Sequence, residues 1–266
     1  MEKEIDRLLK KLRGEAAEIS PTLLPLIDKF IESCKGGKRV RGKLVVLGYE
    51  IGKSTTDYRL PTTDYSGRRK TEDILKVAAS YEIMHAAILA HDDIIDQSPE
   101  RRGKPSLYKS VGVEQAITLA DLGFFLAIKI ISESKFADKL KIKALQMFSQ
   151  TMVETAIGQM LDIAHANPEL VAKLKTAKYT VSGPLQLGAI LGGAELDLLD
   201  QLDQFGTNLG IAFQIRDDVL DGEAKSADKA LKYTAVAKKI IPKISNDPKM
   251  IKLLERLVDY MVERSK

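Results

Sequence analysis

The chain has 266 residues, of which 44% are hydrophobic and 29% are charged, so it can bury a substantial core. Its 41 basic and 37 acidic residues give a net charge of +4, which is too small an imbalance to indicate a nucleic-acid partner. The single cysteine, Cys34, excludes an internal disulfide, and the lack of a CxxC pair or a histidine cluster argues against a zinc site.

The N-terminal stretch MEKEIDRLLKKLRGEAAEIS alternates charged residues with leucine and isoleucine. This pattern predicts an amphipathic helix and is not typical of a signal peptide. No apolar run in the sequence reaches the length that we expect of a membrane-spanning helix. The sequence therefore predicts a cytoplasmic protein without a membrane span.

Apolar residues recur at spacings of three and four over long stretches of the chain, which predicts helices. The clearest stretches cover residues 72–96, 112–134, 137–166 and 197–221. Few runs alternate with period two, and no change of composition marks a boundary. We therefore predict an all-α helical bundle that forms a single domain over residues 1–266.

The stretch CKGGKRVRGK combines a glycine turn with basic residues. Gly36 and Gly37 make a flexible turn, and Lys38 and Arg41 lie three residues apart on one side of the predicted following helix. A glycine turn that leads into a helix N-terminus can bind an anion. A solvated turn has the same composition, so this stretch alone does not decide between the two.

The stretch HDDIIDQSPERRGKPSLY places three aspartates at the end of a predicted helix and two arginines after it. Asp92 and Asp96 are four residues apart and share a face, near the end where the helix dipole disfavours negative charge. Mg²⁺ can offset that cost, because it binds one or two carboxylates and completes its shell with water and phosphate. Arg101 and Arg102 can grip phosphate oxygens. A solvated helix end followed by a basic turn would contain the same residues.

The stretch FQIRDDVLD repeats this pattern at the end of another apolar helix. Asp217 and Asp221 share a face there, and lysines such as Lys225 follow. If the two acidic helix ends meet, six carboxylates line one cleft, and such a cluster is strongly destabilising without cations. The two motifs together predict a metal site that bridges to an anion.

Together these motifs resemble those of the trans-isoprenyl diphosphate synthases, the head-to-tail prenyltransferases. The matching stretches are GGKRVRGK, MHAAILAHDDIIDQSPERRGKP, ETAIGQMLD, LKTAKYTVSGPLQLGAILGG and FQIRDDVLD, and they occur in family order. The resemblance implies the all-α fold of the class I isoprenoid synthases. It also implies a Mg²⁺-dependent condensation of isopentenyl diphosphate with an allylic diphosphate.

The resemblance implies roles for individual residues. Three Mg²⁺ ions per active site would be held by the motif aspartates, which are Asp92, Asp93, Asp96, Asp217, Asp218 and Asp221. The allylic diphosphate would be bound by Arg101, Lys175, Lys225 and Lys232. The isopentenyl diphosphate would be bound by Lys38, Arg41, His85 and Arg102. Thr176 and Gln214 would stabilise the allylic cation through their oxygens, and Gln159 would support the metal site.

The product length is predicted from the residues that precede Asp92. The growing tail would pass Ala87 and Ile88, then Met84, then Tyr81, which lie one, two and three turns earlier. In farnesyl-forming relatives an aromatic residue often stands where Ala87 or Ile88 stands here. The distance from Asp92 to Tyr81 is about 16 Å at 1.5 Å per residue. We therefore predict geranylgeranyl diphosphate (C20) or a somewhat longer product, with Tyr81 as the floor.

Three other activities remain open from the sequence: a farnesyl diphosphate synthase, a class I terpene cyclase and a non-catalytic subunit of a heteromeric prenyl synthase. A cyclase normally carries an NSE-type second motif, and non-catalytic subunits usually lose motif aspartates. A purely structural helical bundle would leave the motif carboxylates without a partner.

The resemblance also bears on the C-terminus and on assembly. Family members usually continue further beyond the position of Thr234, so we expect a shortened C-terminal region. Relatives generally form homodimers through central helices, which makes the apolar segment ITLADLGFFLAIKII a candidate dimer surface.

Overall fold

The computed structural model describes residues 1–55, 67–220 and 228–263. Contacts between residues group the chain into two compact units. Unit 1 contains the described residues within 1–43 and 65–135, and unit 2 contains those within 44–64 and 136–266. The single domain over residues 1–266 stays a prediction.

Unit 1 consists of helices and one short hairpin. Its α-helices are α1 (Glu2–Ile19), α2 (Leu24–Ser33), the start of α3 (Val40–Thr55), α4 (Gly67–Ile95), α5 (Leu107–Val111) and α6 (Val113–Glu133). A 3₁₀ turn, Pro21–Leu23, precedes α2. Strands β1 (Glu100–Arg101) and β2 (Lys104–Pro105) pair antiparallel. These bounds confirm the amphipathic N-terminal helix and the helices that periodicity predicts at residues 72–96 and 112–134.

The core of unit 1 lies where the apolar faces of α1, α2, α4 and α6 meet. Helix α1 presents one buried apolar residue per turn to this core: Ile5, Leu9, Leu12 and Ala16. Helix α6 packs most closely at Gly123, where a Cβ atom would lie 2.9 Å from the Cβ of Ala87 and 2.8 Å from the ring of Phe30. A glycine is therefore needed there for α6 to reach α4.

Helix α6 corrects the expectation that no apolar run has the length of a membrane span. By length and composition alone this helix of 21 residues could cross a membrane, with a mean hydropathy of 1.5 over the most apolar window. Within that window 39% is buried inside the protein. Core helices pass the same test, so the finding by itself is weak support for a membrane span.

Unit 2 is also helical. It contains the remainder of α3, then α7 (Asp138–Ile163), α8 (Pro168–Val171), a π-helical segment (Ala172–Ser182), α9 (Gly183–Gly192), α10 (Leu196–Leu220), α11 (Asp228–Ile244) and α12 (Pro248–Val262). Helices α7 and α10 confirm the predictions at residues 137–166 and 197–221. The π-helical segment was not predicted, because the spacing of apolar residues does not separate it from an ordinary helix.

Glycines allow α3 and α9 to pack backbone against backbone in unit 2. A Cβ atom on Gly48 would lie 2.0 Å from the carbonyl oxygen of Leu185. A Cβ atom on Gly188 would lie 1.9 Å from the carbonyl oxygen of Val45. Real Cβ atoms do not make such contacts, so the close approach of the two helices depends on these glycines.

Candidate active site

The first acidic motif closes α4 with a Schellman turn. The N–H of Ser98 donates to the carbonyl of Asp93 at 2.9 Å, and the N–H of Gln97 donates to the carbonyl of Ile94 at 3.3 Å. Gln97 takes the left-handed conformation that this motif needs, with φ of 52°. The N–H of Asp96 still donates to the carbonyl of Asp92 at 2.8 Å. Asp92 and Asp96 are therefore one helical turn apart, as the sequence predicts.

The three aspartates of this motif have different environments. Asp92 is half-buried, Asp96 is exposed and Asp93 is buried. Nε of Arg101 donates to Oδ1 of Asp93 at 2.9 Å, and Nη2 of Arg101 donates to the same oxygen. Asp93 therefore holds Arg101 in place, whereas Asp92 and Asp96 are the less buried carboxylates of the motif. The metal-ligand role of Asp93 stays a prediction.

The RRG stretch forms a hairpin, which the sequence analysis did not predict. Arg102 and Gly103 connect β1 to β2 with φ values of 55° and 71°, which is the signature of a type I′ turn. The N–H at Nη1 of Arg102 donates to the carbonyl of Lys35 at 2.7 Å. A Cβ atom on Gly37 would lie 3.0 Å from Nη2 of Arg102. The hairpin thus brings the guanidinium of Arg102 onto the glycine turn.

Basic groups converge around His85 in unit 1. Nη1 of Arg41 donates to Nε2 of His85 at 3.2 Å, so the imidazole accepts a hydrogen bond. Burial lowers the pKa of His85 well below its usual value, and the charges of Arg41, Arg102 and Arg101 lower it further. Burial, followed by the charges of Arg39 and Arg101, also lowers the pKa of Arg102. Positive charge concentrated in this way favours an anion.

Arg39 anchors the glycine turn, and the sequence analysis missed it. Its side chain is 7% exposed and its φ is 53°. Nε and Nη2 of Arg39 donate to the carboxylate of Glu2 at 2.7 and 2.9 Å, and Nη2 also donates to the carbonyl of Cys34 at 2.9 Å. The hydrogen bond to Arg39 lowers the pKa of Glu2. Nothing in a basic run distinguishes such an anchor from its neighbours, so the sequence could not identify it.

Helix α3 begins at Val40, so the predicted helical placement of Lys38 is wrong. Lys38 is exposed and precedes the helix, whereas Arg41 lies in its first turn. The N–H of Gly42 donates to Glu82 of α4 at 2.7 Å, which joins the start of α3 to α4.

The second acidic motif occupies the end of α10 in unit 2. Asp217 and Asp218 are half-buried in the last turn of the helix. Asp221 and Lys225, which the sequence assigns to metal and diphosphate binding, lie outside the described residues. Lys232 is exposed on α11. The helical placement of Asp217 and Asp218 is confirmed.

The π-helical segment carries Lys175 and Thr176. Nζ of Lys175 donates to Oδ2 of Asp162 on α7 at 2.5 Å. The hydroxyl of Thr176 donates to Oε1 of Gln214 at 2.8 Å, and Nε2 of Gln214 donates to Oδ1 of Asp218 at 2.7 Å. A chain of hydrogen bonds therefore runs from Thr176 through Gln214 to the second acidic motif.

The residues predicted to set product length are buried in α4. Tyr81, Met84 and Ala87 are each at most 1% exposed, and Ile88 is half-buried. Ala87 contacts the backbone of α6 at Gly123. Gln159, the predicted support of the metal site, is half-buried on α7. Their roles in chain length and metal support stay predictions.

The donor atoms of each acidic motif fit Mg²⁺. Across residues 1–55, 67–220 and 228–263, no group of three or more His, Cys, Asp or Glu side chains is arranged to hold a metal ion. Asp92 and Asp96 instead offer a pair of carboxylates on one helix face. Mg²⁺ typically takes one or two carboxylates and completes its shell with water and substrate phosphate, so a pair is sufficient.

Comparisons with known proteins agree with these motifs. The polyprenyl synthetase family model matches residues 24–235. The short chain isoprenyl diphosphate synthase of Methanocaldococcus jannaschii is 30% identical over 215 residues, which cover 76% of this chain and 61% of the relative. The geranylgeranyl diphosphate synthase of Methanosarcina mazei is 30% identical over 226 residues, which cover 82% and 62%. The chain thus spans about three fifths of the length of the curated relatives it matches.

A solved structure extends the likeness over almost the whole chain. The geranylgeranyl pyrophosphate synthase of Corynebacterium glutamicum, solved with isoprenyl diphosphate and magnesium, has a TM-score of 0.86 and 22% identity. The match covers 99% of this chain and 97% of that chain, and it confirms the all-α fold of the class I isoprenoid synthase type. Because the family model extends from α2 into α11 and includes both acidic motifs, the chain belongs to the polyprenyl synthetase family.

Proposed function

We propose that this protein is a Mg²⁺-dependent prenyltransferase that condenses isopentenyl diphosphate with an allylic diphosphate, head to tail, into a trans-prenyl diphosphate. The observation that carries the proposal is the convergence of basic groups on the glycine turn in unit 1, beside an acidic helix end. The charges of Arg41 and Arg102 both act on His85, and the guanidinium of Arg102 lies on the glycine turn. Such a site suits a diphosphate.

Isopentenyl diphosphate is assigned to the glycine turn. Arg102 lies on the turn, Arg41 lies at the start of α3, and Lys38 is exposed between the turn and Arg41 in sequence. Guanidinium groups bind phosphate oxygens in pairs, and the imidazole of His85 would contact the same anion beside Arg41. The pKa of His85 is lowered in the free protein, and the negative charge of a bound anion would raise it again.

The allylic diphosphate is assigned to Arg101, Lys175 and the metal-binding aspartates. Mg²⁺ would be held by carboxylates of the two acidic motifs, Asp92 and Asp96 of the first and Asp217 of the second, and it would neutralise charge on the leaving diphosphate. Asp93 orients Arg101 toward that task through the ion pair between the two side chains. Lys175 adds a positive charge from the π-helical segment.

The allylic cation is assigned to Thr176 and Gln214. The hydroxyl of Thr176 gives its hydrogen to Oε1 of Gln214, so its oxygen presents lone pairs in its other directions. Lone pairs of this kind stabilise a nearby carbocation electrostatically. The amide of Gln214 is itself oriented by Asp218.

The reaction needs no side-chain nucleophile. The allylic carbon–oxygen bond breaks, and its electron pair leaves with the diphosphate. The double bond of isopentenyl diphosphate then forms the new carbon–carbon bond. The proton lost from the adduct passes to the released diphosphate, as the family resemblance implies.

The product is proposed to be geranylgeranyl diphosphate or a somewhat longer chain. Ala87 and Ile88 supply no aromatic block one turn before Asp92, and the buried ring of Tyr81 would form the floor. The relative from Methanosarcina mazei, whose name is geranylgeranyl diphosphate synthase, supports this length.

The protein is further proposed to be a homodimer. Helix α6 exposes large apolar side chains, of which Phe125 is 70% exposed and Val113 and Ile117 are each 41% exposed. A second copy would remove this apolar surface from water. The cytoplasmic location and the absence of a nucleic-acid partner stay predictions.

The function is tested by incubating the purified protein with isopentenyl diphosphate and dimethylallyl, geranyl or farnesyl diphosphate, with Mg²⁺ or with EDTA. We expect elongation only with Mg²⁺, read as chain length by mass spectrometry. Arg102→Met should raise the KM for isopentenyl diphosphate roughly tenfold or more, because it removes a charge-assisted contact. Arg13→Met is the matched control, since Arg13 pairs with Asp28 on an exposed surface of α1 and α2.

Other outcomes of this experiment would contradict the proposal. Cyclic hydrocarbon formed without isopentenyl diphosphate would show a terpene cyclase. Folded protein that binds diphosphate and forms no product would indicate a non-catalytic subunit. A longest product of C15 would show a farnesyl diphosphate synthase and would overturn the predicted chain length.

A further inference from the structure

The π-helical segment Ala172–Ser182 needs an explanation for its stability. π-helical turns are rare and usually short, because their backbone packs less well than that of an α-helix, and they occur often at functional sites. This segment is 11 residues long and lies in unit 2, where it carries Lys175 and Thr176. Its neighbours must therefore hold it in one register.

The face of α10 that meets this segment is made of residues four apart. A Cβ atom on Gly206 would lie 2.5 Å from Cα of Ser182, and one on Gly210 would lie 2.4 Å from Cα of Ala177. The next residue on that face is Gln214, which accepts the hydroxyl hydrogen of Thr176. Asp218 follows one turn later and accepts from Gln214. The register of the segment along this face of α10 therefore determines which side chain of α10 contacts Thr176.

Glycine contacts bring the two backbones together without fixing their register, because van der Waals packing has little directionality. Besides the hydrogen bond of Thr176 to Gln214, directional contacts between the segment and α10 are made one turn before Gly206, at Asp203. Nζ of Lys178 and Oγ of Ser182 both donate to Oδ1 of Asp203, each at 2.5 Å. The Lys178 side chain is 17% exposed and that of Asp203 is 32% exposed, so solvent screens this pair less than a surface pair.

We propose that Lys178 and Asp203 are positioning residues, which fix the register of the π-helical segment on α10 and so hold Thr176 against Gln214. Lys178 follows Thr176 by two residues, so a shift at the anchor is transmitted to Thr176 through less than one turn of backbone. The inference rests on the proposed function, because Lys175 and Thr176 have their roles in that reaction. Neither Lys178 nor Asp203 is assigned to substrate.

The test compares Asp203→Asn, Lys178→Met and the double variant with wild type. We expect kcat for prenyl transfer to fall roughly 10- to 100-fold in each single variant, since a small misplacement of groups near the reacting atoms is costly. The KM for isopentenyl diphosphate should stay within about twofold, because the residues assigned to that substrate belong to unit 1. The double variant should lose little more than either single variant, because the pair acts as one unit.

Lys238→Met is the matched control. Lys238 pairs with Asp259 at 2.8 Å in the same unit, between α11 and α12, with side chains 47% and 43% exposed. Its loss should leave kcat within about twofold of wild type. Hydrogen exchange of residues 172–182 supplies a readout that does not depend on activity. It should become faster in Asp203→Asn, with exchange elsewhere in unit 2 unchanged, and it should stay at the wild-type rate in Lys238→Met.

The outcomes distinguish a failure of the inference about Lys178 and Asp203 from a failure of the proposed function. If wild type transfers no prenyl group, the proposed function fails, and the exchange experiment alone decides whether Asp203 holds the segment. Unchanged exchange of residues 172–182 in Asp203→Asn would overturn the inference. So would additive losses in the double variant, or faster exchange throughout unit 2, because either would show general destabilisation.

Discussion

At the scale of single residues, charge and burial act together on His85. The imidazole lies among arginines and accepts a hydrogen bond from Arg41, which only a neutral ring can do at that nitrogen. Burial and the neighbouring positive charges lower its pKa well below the usual value. The folded protein therefore binds fewer protons at this position than the unfolded chain does near pH 6.

The pH dependence of stability should reveal this proton deficit. The contribution of neutral His85 to the unfolding free energy is fully present above the unfolded pKa of about 6.5. It is lost as the pH falls below that value, by at most about 1.4 kcal/mol per pH unit. His85→Gln keeps a hydrogen-bond acceptor for Arg41 and does not titrate. Urea unfolding at pH 8 and pH 5 should therefore show a smaller loss of unfolding free energy in His85→Gln than in wild type.

The other two histidines serve as an internal control for this comparison. His91 and His165 are present in both proteins, so their protonation cancels. Equal losses of unfolding free energy in wild type and His85→Gln between pH 8 and pH 5 would show that the pKa of His85 is not lowered in the folded protein.

At the scale of elements, the candidate functional residues of each unit lie where regular helices are interrupted. The Schellman turn at Gln97 ends α4 and directs the chain into the hairpin that carries Arg101 and Arg102. The π-helical segment interrupts the ordinary helices on either side of it and carries Lys175 and Thr176. The Schellman turn is closed by hydrogen bonds between neighbouring residues, whereas the π-helical segment packs against α10 at Gly206 and Gly210.

The packing of α10 on the π-helical segment should be sensitive to one methyl group. In Gly210→Ala the new Cβ would lie 2.4 Å from Cα of Ala177, so one backbone must move. We expect the unfolding free energy to fall by about 1–3 kcal/mol, the usual cost of overpacking. We also expect slower prenyl transfer, because Thr176 and Gln214 move apart.

Gly14→Ala is the matched control for this substitution. Gly14 is exposed within α1, and nothing lies within 4 Å of its missing Cβ. Alanine there should raise the unfolding free energy by about 0.5–1 kcal/mol, because glycine weakens a helix interior. If Gly210→Ala is as stable as Gly14→Ala, the close approach of α10 to the segment is wrong.

At the scale of the whole molecule, helix α6 exposes a stripe of large apolar side chains to solvent. Phe125 is 70% exposed in the middle of this helix, and a lone exposed apolar residue would need no explanation. The stripe continues through Val113, Ile117 and Ile128, each between 38% and 41% exposed. Several exposed apolar side chains on one helix are typical of an interaction surface.

The proposed homodimer should therefore be broken by a charge on this stripe. Phe125→Glu should reduce the mass measured by light scattering from about twice 29.4 kDa to the 29.4 kDa of one chain. Leu253→Glu is the control, because Leu253 is 48% exposed and belongs to α12 and not to α6. Wild-type protein that is already a monomer, or a Phe125→Glu variant that remains a dimer, would contradict the homodimer.

Particular residues show how much of the candidate site could be predicted from the sequence. Asp92 and Asp96 were placed on one face by their spacing alone, and the backbone hydrogen bond between them confirms it. Arg39 was missed although it stands beside Lys38, because its function depends on Glu2, which lies 37 residues earlier. Lys178 was missed in the same way, since its partner Asp203 lies on another helix.

The sequence by itself determined the helices, the two acidic helix ends and the family, because helical periodicity and short motifs are properties of neighbouring residues. Only the tertiary structure decided which charges are partnered. It showed that Asp93 holds Arg101, that Arg102 lies on the glycine turn and that Thr176 is joined to Asp218 through Gln214. The contacts of Arg102 with Lys35 and of Thr176 with Gln214 join residues far apart in the chain. The energies of all these contacts depend on distance and burial, which no local pattern encodes.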